Sequence, residues 1–273
     1  MLEVENVKFS YAGKDHPVFD DISLSLSEGR IYGLLGKNGM GKSTLLYLMS
    51  GLLRPQEGRV EFLGESVQER SPLILRDLYV VPEEFDFPQL SLEQIVALHA
   101  DFYPHFSKEV FYKCLSDLDL EAKFKLRRLS MGQKKKVKVS LALASGTPLL
   151  LMDEPTNGLD IPSKSLFRKA ITSYLGERST LIIATHQAHD VESMLDDLII
   201  LDGGKVLMNE TVADLTQKYC FSFCQPQENC PDIIYSEPSL QGNSIIKKRM
   251  PKGEETPLNL ELLFNAVTKG LIK

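Results

Sequence analysis

The sequence predicts an α/β protein: a mixed, mostly parallel sheet with an antiparallel β portion at the N-terminus, a helical subdomain inserted mid-chain, and a small C-terminal extension. Three observations carry that expectation. Short apolar runs suited to buried strands alternate with helix-spaced segments, first around residues 31–53 and again over 148–206, the pattern of βαβ units. Between them, from about 88 to 146, the period is helical throughout. Beyond 215 the composition loosens, with prolines at 226, 231, 238, 251 and 257.

Taken in order, LEVENVKF (2–9) and ISLSL (22–26) alternate apolar and polar residues, as strands with one buried face do. IYGLL (31–35) is a continuous apolar run, expected of a parallel strand buried on both faces. STLLYLMSGLL (43–53) has helical spacing, and Gly51 stands where a helix C-cap belongs. RPQEG (54–58) reads as a turn and RVEFLG (59–64) as a strand. LEQIVALHADFY, KEVFYKCLSDL and MGQKKKVKVSLALA supply three helices of the insertion. PLLLMD, TLIIATH and LIILDGGKV then read as strands, with SKSLFRKAITSYL and HDVESMLDD as helices between them. NLELLFNAVTKG (259–270) predicts one amphipathic helix near the end. The boundaries expected are a main domain over 1–215 and an extension over 216–273.

A chain of 273 residues with 43% hydrophobic and 25% charged residues can bury a sizeable core. Its net charge of −6 argues against nucleic acid as a partner. No window approaches the roughly 18 apolar residues a membrane span needs, and MLEVENVKFS lacks the pattern of a secretory leader. The four cysteines (Cys114, Cys220, Cys224 and Cys230) are therefore expected as reduced thiols, and the last three lack a nearby histidine to complete a zinc site. The basic run Lys134–Lys136, with Lys138, is expected to face solvent on its helix.

The chemistry concentrates in GLLGKNGMGKSTLLYLMSG (33–51). The spacing Gly36-x-x-x-x-Gly41-Lys42-Ser43, after a strand and before a helix, is that of a P-loop. The glycines at 36, 39 and 41 let a ligand approach the backbone closely. Backbone N–H groups of Lys37, Asn38, Gly39, Met40 and Thr44 can then converge on phosphate oxygens at a helix N-terminus. Lys42 supplies full positive charge, and the Ser43 hydroxyl can hold Mg²⁺. In LLLMDEP (149–155) an apolar run delivers Asp153 to the carboxyl edge of the sheet, where it can orient Mg²⁺, while Glu154 can polarise an attacking water.

LSMGQ (129–133), LLLMDEP, TNGLD (156–160) and IIATH (182–186) together resemble the ATP-binding-cassette (ABC) family over about residues 1–215. HADFYPHFSKEVFYK and LNLELLFNAV look most like the separate ATPase subunits of bacterial exporters of drugs, antibiotics or peptides. The resemblance implies a P-loop NTPase fold of the ABC-type nucleotide-binding domain, with ATP and Mg²⁺ as cofactors. It makes Tyr11 the aromatic that stacks on adenine, His186 the switch histidine at the γ-phosphate, and Asp160 the aspartate that acts across a dimer interface. Ser130, Gly132 and Gln133 match the signature that reaches the nucleotide of the opposite subunit. Two residues depart from the pattern: Met131 replaces a glycine of the signature, and Glu83, a candidate Mg²⁺ ligand, stands where the family generally has glutamine.

Two subunits closing head to tail on two ATP molecules, with Glu154, His186 and Lys42 acting on the terminal phosphate, is the mechanism the resemblance implies. Expected partners are a second ATPase subunit, a homodimer before a heterodimer, and an integral membrane permease that docks on the helical insertion. The chain is then cytoplasmic, held to the inner face of the membrane by that permease. The alternative is a soluble ABC-type ATPase acting as a switch or assembly scaffold. Chromosome-type members need long coiled-coil insertions, and translation-type members carry two cassettes; this chain has neither.

Overall fold

The computed structural model describes residues 1–14, 16–122, 124–225, 230–240, 242–250 and 255–272. The chain opens with β1 (Leu2–Phe9) and β2 (Phe19–Leu26), an antiparallel pair whose alternation, reset by a register shift between Val4 and Val7, sends Val4, Val7, Ile22 and Leu24 inward. The buried strand β3 (Ile31–Leu35) leads through the glycine-rich loop into helix α1 (Lys42–Met49). Strands β4 (Glu57–Phe62) and β5 (Glu65–Ser66) complete an antiparallel sheet in the order β2-β1-β4-β5. After the short helix α2 (Pro72–Leu75), strand β6 (Leu78–Val81) enters the second sheet.

The insertion holds α3 (Leu92–Phe102), α4 (Lys108–Asp117) and α5 (Met131–Ala144). Each starts on a serine whose hydroxyl accepts from a backbone N–H one turn on, and Ser91/Gln94 and Ser130/Gln133 form reciprocal capping boxes. Of the aromatic stretch that ends α3 and leads to α4, Tyr103 and Phe106 pack against the core, whereas Phe102 is exposed.

Strands β7 (Leu149–Asp153), β8 (Thr180–Thr185), β9 (Asp197–Asp202) and β10 (Lys205–Thr211) follow, with α6 (Ile161–Tyr174) between the first two. The six-stranded sheet runs β10-β9-β3-β8-β7-β6, parallel except for the β9–β10 hairpin. Both of its faces are covered. Leu150, Met152, Leu181 and Ile183 face the helical insertion and α6, while Leu149, Leu151, Ile182 and Ala184 face α1 and the antiparallel sheet. This double burial is why those strands read as unbroken apolar runs.

The helix expected over HDVESMLDD is instead two short 3₁₀ turns, Ala188–Asp190 and Glu192–Met194. Local propensity yields there to tertiary contacts: Val191, Met194 and Leu195 enter the core, Asp190 pairs with Lys164, and Glu192 accepts from the Leu260 N–H.

After α7 (Val212–Lys218) come β11 (Tyr219–Cys224), β12 (Ile233–Ser239) and β13 (Gly242–Lys248), an antiparallel sheet of order β11-β13-β12. Pro238 is accommodated because β12 is an edge strand; Pro226 and Pro251 lie outside the described residues. Helix α8 (Leu260–Thr268) buries Leu260, Leu262, Leu263, Ala266 and Val267 in the same core that lines the parallel sheet. The expectation of reduced thiols is corrected here. Cys224 and Cys230 are joined as a disulfide, because Cys224 at the end of β11 and Cys230 just before β12 lie with their Cα atoms 6.4 Å apart. Cys114 and Cys220 are free, and burial pushes the Cys114 thiol up to about 11. Among the described residues no helix is long and apolar enough to cross a membrane.

Gly51 closes α1 at φ +67°, and a Cβ there would sit 2.2 Å from the Val67 carbonyl oxygen. Gly51→Ala is expected to destabilise the protein by about 2 kcal/mol, read as a lower denaturation midpoint at unchanged slope.

Candidate active site

Four neighbouring parallel strands end at one edge of the sheet, and each hands a functional segment to the same place. β3 delivers the loop of Gly36 to Thr44, β8 delivers His186, β7 delivers Asp153 and Glu154, and β6 leads to Glu83. A cavity of about 650 Å³ opens there, bounded by Tyr11, Asn38, Gly39, Gly41, Lys42, Ser43, Thr44, Glu83 and Glu154. Lys14, His16 and Val18 complete its wall; nothing in their spacing marked them in the sequence.

The loop conformation depends on Gly41, at φ +95°, where a Cβ would lie 2.7 Å from the Phe19 ring. Lys42 is buried. Its ammonium donates to the carbonyl oxygens of Gly36 at 2.8 Å and Lys37 at 3.3 Å, and lies 3.7 Å from Glu154 Oε1. Burial lowers its pKa, against the pull of Glu154 and Asp153. Tyr11, half exposed, shares a 3.0 Å hydrogen bond with the Thr44 hydroxyl and packs edge-on against Phe9, leaving a ring at the cavity mouth.

Glu154 is held from several sides. Its Oε1 accepts from the His186 backbone N–H at 3.0 Å and pairs with His186 Nδ1 at 2.7 Å, and its Oε2 accepts from the Thr185 hydroxyl at 2.9 Å. Beside a carboxylate, Nδ1 carries the ring proton, which leaves Nε2 open to a ligand. Glu154 also adopts φ +44°, a left-handed conformation that costs a non-glycine residue about 1–3 kcal/mol and persists only where surroundings enforce it. Thr185 was not marked by sequence reasoning; only its place before His186 could have signalled it.

Asp153 is 2% exposed, and its Oδ1 has no hydrogen-bond partner among the described residues. Burial raises its pKa, with the Ser43 hydroxyl pulling the other way. An orphaned, buried carboxylate oxygen beside a serine hydroxyl fits a hard divalent cation. Glu83 borders the same cavity, though one of its oxygens already accepts from Asn157 Nδ2 at 2.9 Å.

Ser130, Gly132, Gln133 and Asp160 do not line this cavity. They gather elsewhere: Ser130 and Gln133 cap the start of α5, Asp160 caps α6, and a Cβ on Gly132 would touch the Gly158 carbonyl oxygen at 3.5 Å. Met131 is half exposed on the same corner. The Ser163 hydrogen bond holds the Asp160 carboxyl below its usual range.

The basic run of α5 departs from expectation. Lys135 is only 4% exposed and donates at 2.8 Å to the carbonyl oxygens of both Glu154 and Asn157. Lys138 lies 5.3 Å from the centre of the Tyr79 ring and Lys134 pairs with Asp86. The helix turns these residues toward the β7 turn and β6 rather than to solvent, a tertiary contact that the run of identical letters conceals.

A model of the ABC transporter family matches residues 19–157. Nod factor export ATP-binding protein I of Cupriavidus metallidurans is 31% identical over 212 residues, covering 75% of this chain and 69% of its own. ABC transporter ATP-binding protein YtrB of Bacillus subtilis is 24% identical, with 99% of each chain covered. A solved dimer of the ATP-binding cassette MJ0796, in a post-hydrolysis state bound to ADP and Pi, superposes with a TM-score of 0.68 at 26% identity. That likeness spans 78% of this chain and 99% of the other.

Replacing Lys42 by Met keeps the buried stem and removes the charge. The expected result is at least about tenfold weaker ATP binding by calorimetry, near 1.4 kcal/mol, in a variant that remains folded.

Proposed function

This chain belongs to the ABC transporter family, and from that premise we propose that it is the subunit that energises a transporter, an exporter, whose membrane-spanning part is a separate permease chain. As a member of that family it binds and hydrolyses ATP. The observation that carries the fuller reading is the convergence of Lys42, Asp153, Glu154 and His186 on one sheet edge. Residues 1–215 form the ATPase domain on this reading, and 216–273 an appended lobe.

The triphosphate lies along the loop from Gly36 to Thr44, with adenine against Tyr11. Ser43 and Asp153, with Glu83 nearby, would hold Mg²⁺, which supplies charge neutralisation at the phosphates. Glu154 orients the water that attacks the γ-phosphorus as the bond to ADP breaks. Lys42 and His186 stabilise the charge that develops on the γ-oxygens.

Ser130, Gly132, Gln133 and Asp160 sit on an exposed corner outside the cavity, an arrangement that supports their acting on the nucleotide of a second copy of the chain. ATP then closes a head-to-tail homodimer and hydrolysis opens it. The solved MJ0796 structure is itself a dimer.

A groove of about 810 Å³ between α2 and α3 supports the permease reading. It carries the exposed apolar side chains Leu52, Leu98 and Phe102, and its floor includes Leu78 and Val80 of β6, the strand that continues to Glu83. A cytoplasmic segment of the permease seated there pushes on a strand whose far end borders the nucleotide. The names of the export and transporter relatives support this class over a soluble switch. The chain is thereby held at the inner face of the membrane.

Two outcomes test the proposal. Glu154→Gln is expected to slow hydrolysis at least about 100-fold and to give an ATP-dependent dimer on gel filtration; full turnover would refute the role given to Glu154. Leu98→Asp combined with Phe102→Asp is expected to keep basal ATPase activity while abolishing co-purification with a multi-span membrane protein from detergent extracts.

A further inference from the structure

The turn after β7 holds its catalytic carboxylate in a backbone conformation that needs external support, and one buried cation supplies it. Lys135 reaches from the second turn of α5 to the carbonyl oxygens of Glu154 and Asn157, 2.8 Å from each. The Glu154 N–H donates to the Ala184 carbonyl oxygen at 2.9 Å, so the peptide groups on both sides of its left-handed Cα are anchored. Asn157 in turn donates to Glu83 at 2.9 Å. One ammonium thus ties together α5, the β7 turn and, through Asn157, the segment after β6.

The surroundings favour a cation there. The carboxylates of Glu83, Glu154 and Asp153 all act to keep Lys135 charged, opposing burial, which lowers its pKa. An apolar side chain of equal length would fill the space. It would leave two carbonyl oxygens without this donor and three carboxylates with Lys42 as the remaining buried cation close by.

Lys135 also has a consequence for communication. It rides on the helix that begins at Ser130, five residues and about 7 Å of helix away. We infer that Lys135 is a positioning residue: it fixes the Glu154–Asn157 turn so that the Glu154 carboxylate stays at the Lys42 end of the cavity, and it makes that placement depend on what the Ser130 end of α5 contacts. The inference rests on the roles proposed above for Glu154 and Ser130. It adds that the two nucleotide sites of a dimer report on each other within a single helix.

The test compares wild type, Lys135→Met, Lys135→Arg and Glu154→Gln in the full chain, with steady-state ATPase kinetics and ATP binding by calorimetry. Lys135→Met is expected to lower kcat at least about tenfold with KM changed less than about threefold, because a displaced carboxylate spares binding and hurts the chemical step. The dependence of rate on ATP concentration is expected to lose its cooperativity. Lys135→Arg, which keeps donors on a long stem, is expected to recover most of the rate. A purely structural lysine would lower thermal stability and leave the kcat of folded protein and its cooperativity intact.

Should Lys135→Met fail to fold, Lys135→Gln, shorter but still a donor, serves in its place and is expected to fall between Met and Arg. A kcat within about twofold of wild type in the folded variant overturns the inference. An active wild type silenced by Glu154→Gln but indifferent to Lys135→Met overturns it alone. Full turnover in Glu154→Gln overturns both the inference and the reading on which it rests.

Discussion

Lys42 is an ammonium with almost no water around it, and the parallel sheet is what makes that tolerable. A buried cation needs partners that cannot move away, and here they come from neighbouring strand ends: the Gly36 and Lys37 carbonyl oxygens after β3 and the Glu154 carboxylate after β7. Those strands are locked by pairing to β8 between them and by apolar layers on both faces. The site is therefore as rigid as the core beneath it. Its charges suit a nucleotide that arrives with a cation, since Asp153 keeps an orphaned oxygen for a hard divalent ion and the loop borders open space. The remaining elements of the fold either brace this edge or give it something to respond to.

How much of this could be read from the letters follows from where each constraint acts. IYGLL, PLLLMD and TLIIATH were legible because strands buried on both faces must be continuously apolar. The P-loop was legible because close approach of phosphate to backbone needs glycine at fixed offsets. Lys135 was not. A lysine between two others reads as a solvated face, and only the packing of α5 against the β7 turn decides that this one points inward while its neighbours pair with Asp86 or approach aromatic rings. The same reasoning explains residues 189–197, whose helical spacing gave way to contacts with α6 and α8. It also explains β11 to β13, where prolines suggested irregular chain, but Pro238 falls at an edge strand and Pro231 and Pro257 fall outside the strands. The Cys224–Cys230 pair belongs to this class too, since the tertiary approach of the end of β11 to the residue before β12, and not a sequence spacing, brings those sulfurs together.

Two elements leave this edge of the sheet in different directions, and they differ in what they can transmit. β6 runs from the apolar groove beside α3 to Glu83, so displacement at one end is felt at the other through a strand paired along its length with β7. α5 runs from the exposed corner at Ser130 to the carbonyl oxygens of the Glu154 turn. On the proposed reading, the first couples the nucleotide to the membrane partner and the second couples it to the other nucleotide. Glu83 and Asn157 join the two lines by a direct hydrogen bond. Substituting glutamate for glutamine at position 83 therefore adds charge at the crossing point of both routes, where it acts on Lys135 as well as on Lys42.

On the proposed reading, the Ser130 corner is where a second copy of the chain completes the machine. Ser130 Oγ accepts from the Gln133 N–H, and Gln133 Oε1 accepts from the Ser130 N–H, so the box satisfies the helix end without outside help. The serine hydroxyl still has its own proton to give, and the helix dipole aims positive charge outward at that point. Nothing in the same chain brings a phosphate there: the corner lies off the cavity that holds Lys42. A donor that is stable while unused and strengthened by an anion is suited to a contact made only part of the time. On that reading the box, complete without the anion, keeps both of its backbone donors satisfied when two subunits separate, and closing and opening can be set by the nucleotide.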